Sequence, residues 1–150
     1  MLERRFRYET LLRIRQRRED IKALALAEAR RDQHRAEAER TDIESARMRA
    51  LEGAKQLLEG DIPASDVRRY YQYERHLSRL AVEKDAEIVE LTSVSEAKRR
   101  ELEAAMKEKK VVEKLKERHI EAYRAEVFAA EGKAADETAN IRSALQGPVE

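Results

Sequence analysis

Between residues 3 and 141 this chain has one place to turn. Gly60-Asp61-Ile62-Pro63-Ala64-Ser65 is the only cluster of helix breakers before Gly147-Pro148, and Gly53 and Gly132 stand alone inside helical patterning. Gly60 can close a helix in the left-handed conformation, Asp61 or Ser65 can cap the next one, and Pro63 fits a helix only in its first turn. The expected organisation is helix one over about 3–59, a turn at 60–64, helix two over about 64–141 and a tail at 142–150, within a single elongated domain 1–150. Helices this long span about 85 Å and about 115 Å. A short turn between two long helices makes them antiparallel neighbours, so the expected fold is all-α: an antiparallel coiled-coil hairpin whose second helix is the longer. A long intermolecular coiled coil with the 60–65 segment as a break is the alternative.

The seam of the hairpin is written in steps of three and four residues. On helix two it follows Leu77, Ala81, Ile88, Leu91, Leu102, Ala105, Val112 and Tyr123, widened by Leu80, Val94 and Leu115. On helix one it follows Leu11, Ile14, Ile21, Ala25, Ala29, Ala36, Ile43, Ala46, Ala50 and Leu57, with a slip near Ala25. Small residues in the middle let two helices approach closely. Arg18, Lys84, Lys98 and Lys109 stand where an apolar residue is preferred, and their stems can cover apolar surface while the charges reach water. Pairing about the turn sets residue i near residue 124 − i. Helix one is then exhausted near Ala122, and Tyr123, Val127, Phe128 and Ile141 have no intramolecular partner.

Composition agrees with helices of this kind. Charged residues make up 42% of the chain and aromatics 5%, with no Cys, no Trp, four Gly and two Pro, which is rich in helix formers and poor in large core residues. The periodicity sets the chain apart from a disordered one of similar charge. No apolar run approaches the ~20 residues that span a bilayer, and Met1-Leu2-Glu3-Arg4-Arg5 leads into no apolar signal core. With no thiol for disulfide chemistry, the expected location is the cytoplasm.

Catalysis is not expected. The carboxylates are spread along a rod and do not converge in a cleft. His34, His76 and His119 are set opposite positions near 90, 48 and 5, so no two meet, and neither zinc-ligand spacing nor a phosphate-binding glycine loop is present. No metal and no cofactor is expected.

Charge distribution says more. Residues 3–18 hold seven Arg and two Glu, a net +5, and residues 107–118 hold six basic residues against three Glu, a net +3, while the whole chain is only +1. The pairing rule sets these segments side by side, so the terminal end of the hairpin is strongly basic and suits an acidic protein surface. Nucleic acid is not the expected partner: Phe6 and Tyr8 interleave with Arg, but no reading-helix motif is present. Near the turn, Tyr70-Tyr71-Gln72-Tyr73 places three of the five tyrosines together. With Leu77 and Leu80, Tyr70 and Tyr73 form a ridge at helical spacing, either a docking surface or a cap on the seam.

Taken in order, Phe6-Arg7-Tyr8-Glu9-Thr10-Leu11-Leu12-Arg13-Ile14-Arg15, the short turn, the ridge over 70–77, Met106-Lys107-Glu108-Lys109-Lys110 and the closing 131–142 stretch resemble the FliJ family of flagellar type III export stalk proteins, to which the injectisome stalk proteins are similar. The resemblance implies a non-enzymatic regulator of the export ATPase that links the hexameric ATPase ring to the cytoplasmic domain of the export gate and escorts unloaded export chaperones. It implies peripheral membrane association through those partners only. A structural spacer or tether with no ATPase role is the alternative. Expected ATPase contacts are Arg7, Leu11, Arg13, Arg17, Lys109 and Lys110. Carried over by position, the expected gate contacts are Tyr73, Leu77, Leu80 and Lys84 on helix two and Ile43 on helix one, with Glu39, Ala46 and Ala50 beside it. Glu39 and Lys84 are charged, and Ala46 and Ala50 small, where larger or aromatic groups are usual in the family.

Overall fold

The computed structural model describes residues 4–60 and 63–147. Two α-helices account for nearly all of them: α1, Glu9–Glu59, and α2, Ala64–Leu145. The helices pack antiparallel as a hairpin, and the chain divides into two compact units, residues 20–103 and residues 4–19 with 104–147.

α1 begins at Glu9, not near residue 3. A helix N-terminus carries partial positive charge and disfavours cations, so Arg4, Arg5 and Arg7 are poor first-turn residues, whereas Glu9 is a good one. Glu9 N–H donates to the Phe6 carbonyl at 3.2 Å in a turn that precedes the helix, and Leu12 N–H donates to the Tyr8 carbonyl at 3.0 Å as the first helical bond. At the other end, Gly60 N–H donates to the Leu57 carbonyl at 3.3 Å. That tightened turn closes α1 without a left-handed residue, since no described glycine takes a positive φ. The proposed cap at Asp61 lies outside the described residues. Ser65 lies inside α2 and does not cap it, because Pro63 immediately precedes the helix and its carbonyl accepts from Asp66 N–H at 3.0 Å. α2 runs unbroken through Gly132 and on to Leu145, four residues past the expected end; Pro148 lies outside the described residues.

In the 20–103 unit the core is small-residue packing: Leu26, Ala29, Ala36, Ala50 and Ala54 on α1 against Leu77, Ala81 and Ser95 on α2, all at most 8% exposed. On α1 the buried and half-buried positions follow two seven-residue tracks, 26-33-40-47-54 and 29-36-43-50-57. Gln33, Arg40 and Arg47 occupy the first track between Leu26 and Ala54. The charges there are satisfied across the hairpin. Arg40 Nε donates to Asp85 at 2.8 Å, Arg47 Nε to Glu74 at 2.6 Å, Lys84 Nζ to Glu39 at 2.6 Å and Lys22 Nζ to Glu101 at 3.0 Å. These pairs keep close to the 124 − i register. A Leu or Val buried in such a seam contributes about 1.5–3 kcal/mol, whereas part-exposed ion pairs contribute about 0–1 kcal/mol each and serve mainly to select register.

The terminal unit, residues 4–19 with 104–147, is more polar. Its buried apolar side chains are Phe6, Ala105 and Val112. Facing them, the half-buried positions of α1 are Glu9, Leu11, Leu12, Arg15 and Glu19. Ile14 is 59% exposed, and Ile21, in the other unit, 57%. The expected seam through these isoleucines, and its slip near Ala25, are therefore corrected. Counting back in sevens from Leu26 and Ala29 leads through Glu19 and Lys22 to Leu12 and Arg15 without a slip. Charged stems fill the places that the apolar pattern gave to isoleucine, because each has a partner on α2: Arg15 with Glu108 at 2.6 Å, Glu19 with Lys109 at 2.9 Å.

Candidate functional site

The most elaborated surface lies in the terminal unit, where residues 4–8 fold against α2. Phe6 is the anchor, 8% exposed, with its ring 5.8 Å from that of Tyr8 at an edge-on 71° and 5.7 Å from His119. The Arg7 guanidinium lies 5.8 Å from the Tyr8 ring centre, a cation–π distance. Arg4 lines a shallow groove with Tyr123, Arg124, Val127, Phe128 and Glu131. The N-terminal segment thus reaches along α2 past Ala122, and the expectation that Tyr123 and Val127 have no intramolecular neighbour is corrected. Phe128 and Ile141 do stay open, at 79% and 61% exposure.

The residues expected to contact an ATPase divide into two groups. Arg7, Arg13, Arg17 and Lys110 are exposed, and among the described residues Arg13 and Arg17 form no ion pair. Leu11 is half-buried. Lys109 is drawn inward, its side chain only 17% exposed, with Glu19 at 2.9 Å, Gln16 at 2.9 Å and Glu113 at 3.7 Å. Arg15 likewise serves the hairpin: one terminal nitrogen engages Glu108, and its Nε is buried with no hydrogen-bond partner among the described residues. Lys116 closes the set with Glu9 at 2.9 Å.

In the other unit the expected gate residues span the seam and its flank. Tyr73 is 51% exposed, Leu80 and Ile43 are half-buried, and Leu77, at 5%, is a seam residue. Lys84 and Glu39 are brought together, and a second carboxylate, Glu87, also lies 2.6 Å from the Lys84 ammonium. The hydrogen bond from Lys84, then its charge, holds the Glu39 carboxyl below its ordinary range, and the bonds to Glu39 and Glu87 hold Lys84 above its own. Glu74 is lowered by Arg47 and then by the Ser78 hydroxyl.

Sequence reasoning missed the part that Arg5, Tyr8, Arg118 and Ala122 play in lining one groove. The alternation Arg5-Phe6-Arg7-Tyr8 was the available signal. Among the described residues no group of three or more His, Asp or Glu is placed to hold a metal ion, and no described helix is long and apolar enough to cross a membrane.

These features define a helical hairpin of the coiled-coil class, with two heptad tracks on α1 and an aromatic N-terminal segment folded against α2. The chain belongs to the FliJ family: the model for that family, described as Flagellar FliJ protein, matches residues 4–147. The solved structure of a YscO homolog, CT670 from Chlamydia trachomatis, is similar in fold, with a TM-score of 0.54 and 18% identity over 96% of this chain and 95% of that one. No curated protein matches the chain.

Proposed function

We propose that this FliJ-family chain is a non-enzymatic stalk and regulator of the flagellar type III export ATPase. It links the ATPase ring to the cytoplasmic domain of the export gate, escorts unloaded export chaperones, and associates with the cytoplasmic face of the membrane only through these partners. The observation that carries the reading is the family match across residues 4–147. The outward arginines of the terminal unit support it, because Arg13 and Arg17 are not engaged in holding the described hairpin together and are free to complement an acidic surface. On this reading Arg7, Arg13, Arg17 and Lys110 meet the ATPase directly, while Lys109 and Leu11 shape the helix surface beneath them. Tyr73, with Leu80, Ile43 and Lys84 around it, meets the gate.

The test is binding of the full chain to the purified export ATPase and, separately, to the purified cytoplasmic domain of the gate, with ATP hydrolysis followed in the first case. Saturable binding to both and a change in hydrolysis rate are expected. A chain that binds neither, yet is needed at normal length for export, is a spacer.

A further inference from the structure

Two shallow grooves flank the folded-back N-terminal segment. One is walled by Arg5, Arg7 and Arg118 and floored by Phe6, Leu115 and Ala122. The other runs from Arg4 and Arg124 to Val127 and Phe128, with Glu131 the acid on its wall. The apolar surface is open, with Tyr8 45%, Leu115 42% and Phe128 79% exposed. Among the described residues no carboxylate pairs with Arg5, Arg7 or Arg118; the nearby Glu9, which lines the outer side of the segment, is taken by Lys116. Five arginines therefore surround exposed rings and aliphatic side chains with one acid among them.

We propose that these grooves form a docking site for an acidic protein segment that carries a large apolar anchor. Charge complementarity selects the occupant. Arginines on both walls favour carboxylates that bridge the groove, and the floor takes one aromatic or branched side chain out of water. A long polyanion is a poorer fit, because the chain as a whole is only +1 and its basic segments carry no reading-helix motif. The folded-back segment is the clasp: Phe6 fixes Arg5 and Arg7 in place, so the site exists only while Phe6 is seated. This deepens the reading above by giving the chemistry that the basic end recognises, and its test is independent of the ATPase.

The experiment selects random peptides displayed against the immobilised full chain and measures selected peptides by fluorescence anisotropy. Single-stranded DNA and phosphatidylglycerol vesicles are measured as competing probes. Enrichment of peptides combining Asp or Glu with Phe, Leu or Trp is expected, with affinity falling by about tenfold or more in Arg5→Glu/Arg118→Glu and again in Phe6→Ala. The arginine variant should keep its helicity and melting temperature, since both side chains are exposed. No enriched peptide, enrichment of neutral or basic peptides, equal affinity for the charge-reversed chain, or stronger binding to DNA or vesicles would each overturn the proposal. If the proposal holds and the ATPase does not bind, the partner is another acidic protein and the ATPase reading alone fails.

Discussion

Tyr70 lies across Gly53: a Cβ added at position 53 would sit 2.7 Å from Tyr70 Cε1 and 3.2 Å from Cζ. The ring uses the missing side chain to rest on α1 near the turn, which makes Gly53 a seat rather than a weak point. Tyr70 is 38% exposed, so it can swing outward if the seat is filled.

Two opposing effects then fix the outcome of Gly53→Ala. Alanine in a helix interior gains about 1 kcal/mol over glycine, and displacing the ring loses part of an aromatic contact of about 0.5–1.5 kcal/mol. In the native background the change should be close to neutral. With Tyr70→Ala already present the clash is gone, and Gly53→Ala should stabilise by about 1 kcal/mol. Urea denaturation of the four proteins in this cycle measures the coupling; strict additivity would mean that ring and backbone do not interact.

Acid should weaken the 20–103 unit. Glu39, Glu74 and Glu101 have carboxyls held below their ordinary value of 4.5, by Lys84, Arg47 and Lys22 respectively. A group whose folded pKa is depressed contributes stability that is fully present above its unfolded pKa and is lost as pH falls through the folded one. Melting temperature should therefore hold steady from neutrality to about pH 5 and decline below about 4.5. Glu74→Gln should flatten part of that decline while lowering stability at neutral pH, as read by circular dichroism melts across the pH range.

The hairpin was legible because its information is local and repeated. One breaker cluster stands between two long periodic runs, and on α2 the apolar steps from Leu77 to Tyr123 coincide with positions that the structure buries or half-buries. The first turns of α1 were not legible for the same reason. Apolar spacing favoured Ile14 and Ile21, whereas the seam uses Arg15, Glu19 and Lys22, whose fitness depends on Glu108, Lys109 and Glu101 some eighty to ninety residues away. Arg13 and Arg17 were legible as outward charges and Lys109 as a seam position, but its carboxylate partner Glu19 was not. The 124 − i register set His119 near Phe6, but the turn of residues 4–8 out of the helix, which seats the ring, is a feature that no local pattern announces.

The Glu19–Lys109 pair, with side chains 19% and 17% exposed, offers a direct test of what a charged seam does. Replacing one partner strands the other, and Glu19→Leu alone should destabilise by about 1–2 kcal/mol, less than the roughly 3–5 kcal/mol of a fully buried pair because Lys109 keeps Gln16 and Glu113. Replacing both by Leu should be neutral or stabilising. If the pair selects register, the doubly substituted chain should also populate intermolecular dimers, visible by analytical ultracentrifugation. A double variant that is less stable than Glu19→Leu would show that the charges are net contributors.

Tyr73 and Leu77 separate binding from folding at the proposed gate surface. Tyr73 is half exposed, and its truncation should change stability by no more than about 0.5 kcal/mol while weakening gate binding. Leu77 is 5% exposed, and Leu77→Ala should cost about 2–5 kcal/mol. Its binding loss, measured by isothermal titration well below the melting point, should be the smaller of the two. A Tyr73→Ala chain that binds the gate domain as tightly as the native chain would remove the tyrosine ridge from the interface.

Arg7, Arg13 and Arg17 belong to a terminal end that gathers like charge. Residues 3–18 carry a net +5 and residues 107–118 a net +3, and in the structure Arg13 and Arg17 find no carboxylate among the described residues. Reversing the three charges removes like-charge repulsion, and the acid at position 7 lies beside the positive N-terminal end of α1, where it is favourable by about 0.3–1 kcal/mol; positions 13 and 17 lie past the first turn. Against this, the carboxylates introduced at positions 13 and 17 would repel each other at the i,i+4 spacing by roughly a few tenths of a kcal/mol. Arg7→Glu/Arg13→Glu/Arg17→Glu should therefore keep or raise the melting temperature. Binding to the export ATPase and its effect on hydrolysis should both fall. Salt separates a steering surface from a solvated one, since exposed charges are screened beyond about 8 Å at physiological ionic strength. Native binding should weaken as salt is raised, and the triple variant should show a much shallower dependence. Equal affinities for the two proteins at low salt would mean that the basic end is not what the ATPase recognises.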